Sequence, residues 1–392
     1  MATQPTPSRA AAIQFIVCLG IVSLFADITY EGARSITGPF LRSLGSSAAA
    51  VGIVVGLGEF LGFTLRLGSG ILADRTRAYW TITVLGYLVN LAAVPMLAYA
   101  RSWQMAAALI VAERIGKALR NPARDVLLSA AAIEVGRGWG FGLHAAMDQI
   151  GAVIGPLFMF WALGRTRTYA PAFLFLAIPA AAALAALFMA RSYDITGQSG
   201  GRAESHEAGR LPRIFWLYIA AAGLLALGFV DFPIIAFHFG KIGLFSRTGI
   251  PLLYAVAMAM NGITALIFGR LYDRFGLAIL SAGIVVSLAA LPLCFLGGTN
   301  AAIAGVACWG TGMGAMDATL RAGISQIVGP SKRGRAFGLY NAAFGAAWFA
   351  GSSAMGLLYD RSVLGLVLLG VAAQAISAVM FFLLRNKLTP AT

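Results

Sequence analysis

Hydrophobic residues along this chain occur in long runs that end at charged residues, glycine or proline. A bilayer core about 30 Å thick is crossed by about 20 residues of α-helix, and the runs reach that length. The pattern therefore predicts an all-α integral membrane protein with twelve transmembrane helices. The predicted crossings are residues 11–39, 47–70, 78–100, 103–119, 138–163, 169–190, 214–240, 250–269, 275–296, 301–328, 337–358 and 362–384.

The first run follows Arg9 and could be read as a signal peptide. It is longer than the 7 to 15 apolar residues typical of a signal peptide, and no small-residue cleavage site follows it, so we expect it to be the first crossing. Arg and Lys in the loops concentrate on the side that holds both termini. The positive-inside rule then predicts a multi-pass protein of the cell (inner) membrane with both termini in the cytoplasm.

A long polar stretch separates the sixth and seventh runs and predicts a flexible linker. The sequence thus divides into an N-terminal six-helix bundle over residues 1–192, a cytoplasmic linker over 193–213 and a C-terminal six-helix bundle over 214–392. The halves resemble each other, since the segments beginning at Gly70 and Arg137 recur about half a chain later at Gly269 and Arg333. Such duplication predicts two pseudo-symmetric bundles with a substrate site between them.

Composition supports a lipid environment. Hydrophobic residues make up 59% of the chain and charged residues only 11%, against about 25% charged in soluble domains. Mean hydropathy is +0.82. The net charge of +14 is spread over loops and helix ends, which fits anionic lipid rather than nucleic acid. Cys18, Cys294 and Cys308 lie in apolar runs without metal or disulfide spacing.

Charged residues also follow a pattern across the crossings. The third, sixth, ninth and twelfth crossings contain none, whereas most of the others do. Charge inside a membrane is costly and faces protein or water, so the charge-free helices are expected to face lipid. This pattern predicts a polar central cavity surrounded by apolar supporting helices.

The repeated Gly-x-Leu-x-Asp-Arg segments and the six-plus-six organisation resemble the major facilitator superfamily of transporters over nearly the whole chain. The resemblance implies a cytoplasmic gate that latches helices across the halves and breaks when the cavity opens inward; simple anchoring of the interface is the alternative. The fifth crossing also resembles the start of the family's antiporter motif, where a bend or tight helix contact is expected. The gate residues are Gly70, Asp74, Arg75, Arg77, Gly269, Asp273 and Arg274, and the bend residues are Gly151, Gly155 and Pro156.

Three charged residues of the first crossing share one helix face. Asp27, Glu31 and Arg34 are spaced by four and three residues, and Asp27 lies near the middle of the run. A buried carboxylate that takes up and releases a proton would couple transport to protons, with Arg34 favouring its charged form. A static buried salt bridge is the alternative.

The fourth crossing carries Glu113, Arg114 and Lys117 near its middle. The two cations predict either an anion-binding site or ion pairs with Glu113 and the acids of the first crossing. Arg120 and Arg124, on either side of Pro122, are expected to mark the cytoplasmic end of this helix.

Further candidates for a substrate or proton pathway occur as pairs or single residues in other crossings. Each could join a proton relay or could simply support the packing of the bundle. Asp231 occupies the place in the seventh crossing that corresponds to the first-crossing acids. The remaining candidates are Glu59 and Arg66, His144 and Asp148, and Asp317 and Arg321.

No phosphate-binding loop, metal-ligand spacing or nucleophile motif is evident, so we expect no enzyme, no cofactor and no ATP drive. The leading hypothesis is a monomeric secondary transporter that exports a small organic or drug-like solute in exchange for protons. An organic-anion or phosphate-ester carrier is the alternative, motivated by Arg34, Arg66, Arg114, Lys117 and Arg321. A third hypothesis is a non-transporting membrane receptor or scaffold.

Overall fold

A computed structural model describes residues 8–194, 211–329 and 332–388. The predicted linker lies largely outside these ranges. The described residues form sixteen α-helices and one short 3₁₀ helix, with no β-strand. The α-helices are α1 Arg9–Arg34, α2 Thr37–Ser43, α3 Ala48–Thr76, α4 Tyr79–Met96, α5 Trp103–Ala132, α6 Arg137–Thr166, α7 Tyr169–Phe175, α8 Ala177–Ser192, α9 Arg213–Gly228, α10 Phe232–Ile242, α11 Gly249–Phe275, α12 Leu277–Leu288, α13 Ala290–Leu296, α14 Thr299–Ile327, α15 Arg333–Arg361 and α16 Val363–Leu388.

Four of the predicted crossings consist of two α-helices with a break between them. The breaks follow Arg34, Phe175, Gly228 and Leu288, close to the positions four residues before Pro39, Pro179, Pro233 and Pro292. Proline has no N–H to bond the carbonyl four residues earlier, so the helix is interrupted there.

Nine helical segments of the described residues are long and apolar enough to cross a membrane. Each matches a predicted crossing. The other three predicted crossings correspond to α5, α14 and α15, which are 30, 29 and 29 residues long but fall outside these nine spans. The all-α membrane fold is therefore confirmed, whereas the full count of twelve crossings remains a prediction for these three helices.

The fourth crossing was predicted to end at residue 119, and this boundary is wrong. Helix α5 continues through Pro122 to Ala132. The carbonyl of Ala118, which loses its helix partner at Pro122, instead accepts a hydrogen bond from Ser69 Oγ at 2.9 Å. Arg120 and Arg124 consequently lie inside the helix, and Arg120 is only 1% exposed.

The described chain forms two compact units. The first contains the described residues of Met1–Ala33, Leu65–Ala100 and Ala112–Ala203, and the second those of Arg34–Thr64, Arg101–Val111 and Glu204–Thr392. The core of the first unit includes Phe15, Leu19 and Tyr87, all fully buried. The core of the second is rich in aromatic rings, with Phe232 and Tyr254 4.4 Å apart.

Candidate functional site

The site is organised by the break between α9 and α10, in the second unit. Asp231 lies at the N-cap of α10 and is fully buried. The backbone carbonyls freed by the break have side-chain donors: Trp309 Nε1 donates to Val230 O at 2.7 Å, and Gln374 Nε2 to Gly228 O at 2.8 Å. An irregular backbone is therefore tolerated here because its polar groups are bonded within the protein.

The carboxylate of Asp231 has three polar partners. Trp348 Nε1 donates to Oδ2 at 2.9 Å, and Ser352 Oγ donates to the same oxygen. Arg34 Nη2 lies 3.3 Å from Oδ1. Buried charge is stable only when it is paired and hydrogen-bonded, and this carboxylate is both.

Arg34 is shared between two carboxylates. Its Nη2 donates to Glu59 Oε1 at 2.8 Å in addition to the contact with Asp231. The exposed fractions of the three side chains are 9% for Arg34, 15% for Glu59 and zero for Asp231. One buried guanidinium thus faces two acidic side chains.

A cavity of about 100 Å³ adjoins this cluster within the second unit. Arg34 and Glu59 form part of its wall, and aromatic rings of α15 form another part. Its lining residues are Arg34, Glu59, Phe63, Met313, Met316, Asp317, Leu320, Arg321, Tyr340, Asn341, Phe344 and Trp348.

Helix α14 adds a second pair of charges to the cavity. Asp317 accepts a hydrogen bond from Asn261 Nδ2 at 3.0 Å. Arg321 lies one turn further and also lines the cavity, as does Asn341 of α15. Among the described residues, neither the Arg321 guanidinium nor the Asn341 amide has a hydrogen bond or an ion pair, and both can bind a ligand.

A separate polar cluster lies in the first unit around α6. His144 Nε2 is 3.7 Å from Asp148 Oδ1 and 3.2 Å from Ser23 Oγ. Arg124 donates to Ser23 Oγ at 2.9 Å and pairs with Asp125 at 2.8 Å. The four-residue spacing thus brings the imidazole and the carboxylate close together, and Arg124 joins them from α5.

The charges of α5 contact one another and neighbouring aromatic rings. Arg114 Nε lies 3.3 Å from Glu113 Oε2, and Asn90 Nδ2 donates to the other oxygen of Glu113 at 2.8 Å. Lys117 Nζ lies 3.7 Å from the centre of the Tyr30 ring. This arrangement matches the ion-pair alternative for Arg114 and adds a cation–π contact for Lys117.

The two acidic candidates of the first crossing are buried. Asp27 and Glu31 are each 7% exposed. Arg66 lies in the C-terminal part of α3, within the first unit, whereas Glu59 of the same helix belongs to the second. Glu59 is bonded to Arg34.

Four of the predicted gate residues lie in the last turns of two helices. Asp74 and Arg75 lie in the last turn of α3, and Asp273 and Arg274 in the last turn of α11. Tyr79 OH donates to Asp74 Oδ1 at 3.3 Å. Gly70 and Gly269 lie about one turn earlier in the same helices.

The glycines of the antiporter-like segment make a tight helix contact. A methyl group on Gly155 would lie 2.7 Å from Ile28 O and 2.8 Å from Gly32 N. A methyl group on Gly151 would lie still closer to Leu24 O. Pro156 follows within the continuous helix α6. The close approach of α6 to α1 therefore requires glycine at these two positions.

Several residues of the site were missed by the sequence analysis. Trp348 and Ser352 hold Asp231 but carry no charge, so a search for buried charges passes over them. Their four-residue spacing, continued backwards through Phe344 and Tyr340, marks one face of α15. That periodic aromatic face is the signal that could have identified them.

A third copy of the Gly-x-Leu-x-Asp-Arg pattern was also missed. It runs from Gly356 to Arg361 at the end of α15. Its carboxylate, Asp360, bonds to the N-terminus of α3, where Ala49 N donates to Oδ2 at 2.9 Å.

Comparison with known proteins identifies the family. The family model described as Major Facilitator Superfamily matches residues 17–352 and 214–391. The chain belongs to the major facilitator superfamily. A protein of Mycobacterium tuberculosis described as uncharacterized is 40% identical over 98% of this chain and 95% of its own length. An uncharacterized MFS-type transporter of Methanocaldococcus jannaschii is 31% identical over 36% of this chain and 35% of its own length.

Solved structures show the same fold as this superfamily member. A point mutant of the nucleoside transporter NupG has a TM-score of 0.76 at 12% identity, covering 94% of this chain and 99% of that one. A bacterial homologue of the human lysosomal transporter Spinster, inward-facing and unoccupied, has a TM-score of 0.72 at 15% identity, covering 98% and 100%. At these identities the similarity establishes the fold alone.

Proposed function

We propose that the protein is a proton-coupled secondary transporter that exports a small organic solute from the cell by alternating access. It works as a monomer in the inner membrane, with both termini in the cytoplasm, and carries out no catalysis. Family membership supports transport, and the loop charges support this orientation.

The observation that carries the coupling proposal is the sharing of Arg34 between Glu59 and Asp231. In a low-dielectric interior, two carboxylates that share one guanidinium raise the free-energy cost of each other's charge, and protonation of one of them lowers that cost. Release of the proton adds a negative charge beside the cavity. A proton and a substrate can therefore compete for the same cluster.

Asp231 is placed where a change in its protonation can affect the cavity wall. It is fully buried, yet both Arg34 and Trp348, to which it bonds, line the cavity wall. A change in its protonation therefore acts on two side chains that a substrate would touch. The coupling role predicted from the sequence for Asp27 or Glu31 is a competing assignment that the same experiment tests.

The test uses proteoliposomes that contain a trapped pH-sensitive dye. L-Phenylalanine, ethidium, benzenesulfonate and glucose 6-phosphate are added in turn. We expect at least one probe to drive a pH change that depends on the protein. Asp231→Asn should abolish this change while solute exchange persists, whereas Asp27→Asn should retain it. Loss in the Asp27 variant alone would move the coupling to Asp27, and no proton movement with any probe would refute coupling.

The anion-carrier alternative rests on Arg321, whose guanidinium lines the cavity without an ion pair among the described residues. It predicts that benzenesulfonate or glucose 6-phosphate is transported in preference to the other probes. It also predicts that Arg114→Gln weakens anion binding sharply. Unchanged binding in that variant would count against Arg114. A receptor or scaffold would show no flux of any probe.

A further inference from the structure

The cavity of the second unit carries balanced charge. Its wall contains two guanidinium groups, from Arg34 and Arg321, and two carboxylates, from Glu59 and Asp317. Asp231 adds a third carboxylate behind Arg34. A ligand with a net negative charge would therefore add an uncompensated charge to a site that is already neutral or negative.

The cavity nevertheless offers free donors for a carboxylate. Arg321 and Asn341 line it, and in the described part of the chain neither side chain has a hydrogen bond or an ion pair. A guanidinium is well suited to bind a carboxylate with two parallel hydrogen bonds. A ligand group that accepts hydrogen bonds is thus expected on this side of the cavity.

A positively charged group on the ligand would also have partners in the cavity. Glu59 and Asp317 are acceptors on the wall, and a ligand ammonium beside them would offset the carboxylate bound to Arg321. A molecule with both groups adds no net charge, whereas a molecule with only one of them leaves an imbalance.

The rest of the wall is aromatic. The ring of Phe344 lies 5.4 Å from Phe63, 5.3 Å from Tyr340 and 5.6 Å from Trp348, measured between centroids. Ring pairs at these distances interact favourably, and a further flat ring can join such a set. Met313 and Met316 add adaptable apolar surface.

We infer that the substrate is a small amphoteric solute that carries a carboxylate, an ammonium group and an aromatic ring. Arg321 and Asn341 bind the carboxylate, Glu59 and Asp317 attract the ammonium, and the ring packs against Phe344. This inference rests on the proposed function, because it names the solute class of the same cavity.

The test measures binding to purified protein in detergent by titration calorimetry. Four probes separate the required features: L-phenylalanine has all three, phenethylamine lacks the carboxylate, 3-phenylpropionate lacks the ammonium and L-alanine lacks the ring. We expect L-phenylalanine to bind at least ten-fold more tightly than each of the others. Equal or tighter binding of any of the three, or absence of binding by L-phenylalanine, would overturn the inference.

Two variants test which side chain binds which group of the ligand. Arg321→Gln should remove the preference for L-phenylalanine over phenethylamine, and Asp317→Asn the preference over 3-phenylpropionate. Arg270→Gln is the matched control, because Arg270 is exposed and does not line the cavity. Unchanged preferences in both cavity variants would overturn the assignment. Calorimetry requires no proton movement, so the substrate class and the coupling proposal can fail independently.

Discussion

Asp360 caps the helix that begins at Ala48. Its Oδ1 accepts a hydrogen bond from Ala48 N at 3.2 Å, and its Oδ2 accepts one from Ala49 N at 2.9 Å. The first N–H groups of a helix lack partners within the helix, and a carboxylate there also interacts favourably with the helix dipole. The contact ties α15 to α3, two helices from opposite halves of the sequence.

Replacement of Asp360 tests the strength of this cap. We expect Asp360→Ala to lower the free energy of unfolding by about 1 kcal/mol, the usual cost of removing an N-terminal cap. Thermal unfolding in detergent measures the effect. Arg361→Ala is the control, since Arg361 is exposed and adjacent; equal melting temperatures for the two variants would argue against the cap.

The helices and the charged candidates could be predicted because they depend on local sequence. Apolar runs of the right length identify crossings, and a four-residue spacing within one helix places His144 close to Asp148. The helix breaks were missed, although Pro233 marks the break beside Asp231, because proline interrupts some helices here and is accommodated in others.

The partners of Arg34 could not be predicted from one sequence. Glu59 and Asp231 lie far from it along the chain, and a buried cation indicates only that some acid must be near. Periodicity gave Arg34 two nearer candidates on its own helix, Glu31 and Asp27. Tertiary packing brings Glu59 and Asp231 to Arg34, and Arg34 and Glu59 both line the cavity.

The close contact between α6 and α1 predicts that a single added methyl group destabilises the protein. Gly155→Ala places its Cβ under 3 Å from the backbone of Ile28 and Gly32, so we expect a loss of about 1 to 3 kcal/mol. Gly164→Ala in the same helix meets nothing within 4 Å. It should be neutral or stabilising because alanine favours helix. Similar melting temperatures for both variants would contradict the tight contact.

The end of α3 predicts a stabilising substitution. Arg77 has a φ of 54°, and Gly276 at the corresponding position after α11 has a φ of 55°. A positive φ of this size costs a residue with a side chain roughly 1 kcal/mol. Arg77→Gly should therefore raise the melting temperature and Gly276→Ala should lower it. Gly276 has open space around it, so a steric clash of the added methyl group would not contribute to the effect of Gly276→Ala. A lower melting temperature for Arg77→Gly would refute backbone strain at Arg77.

Among these variants, we expect the removal of Arg34 to cause the largest loss of stability. Arg34→Gln leaves Glu59 and Asp231 close together without their shared cation, and breaking a buried pair in this way costs about 3 to 5 kcal/mol. Glu59→Gln should cost less, because Arg34 keeps Asp231. In the double variant the loss should be smaller than the sum of the two single losses, since one of the unpaired charges is removed. Chemical denaturation of all four proteins measures this coupling. Simple additivity would show that Arg34 and Glu59 are not energetically coupled, and the sharing of Arg34 on which the coupling proposal rests would then lack its physical basis.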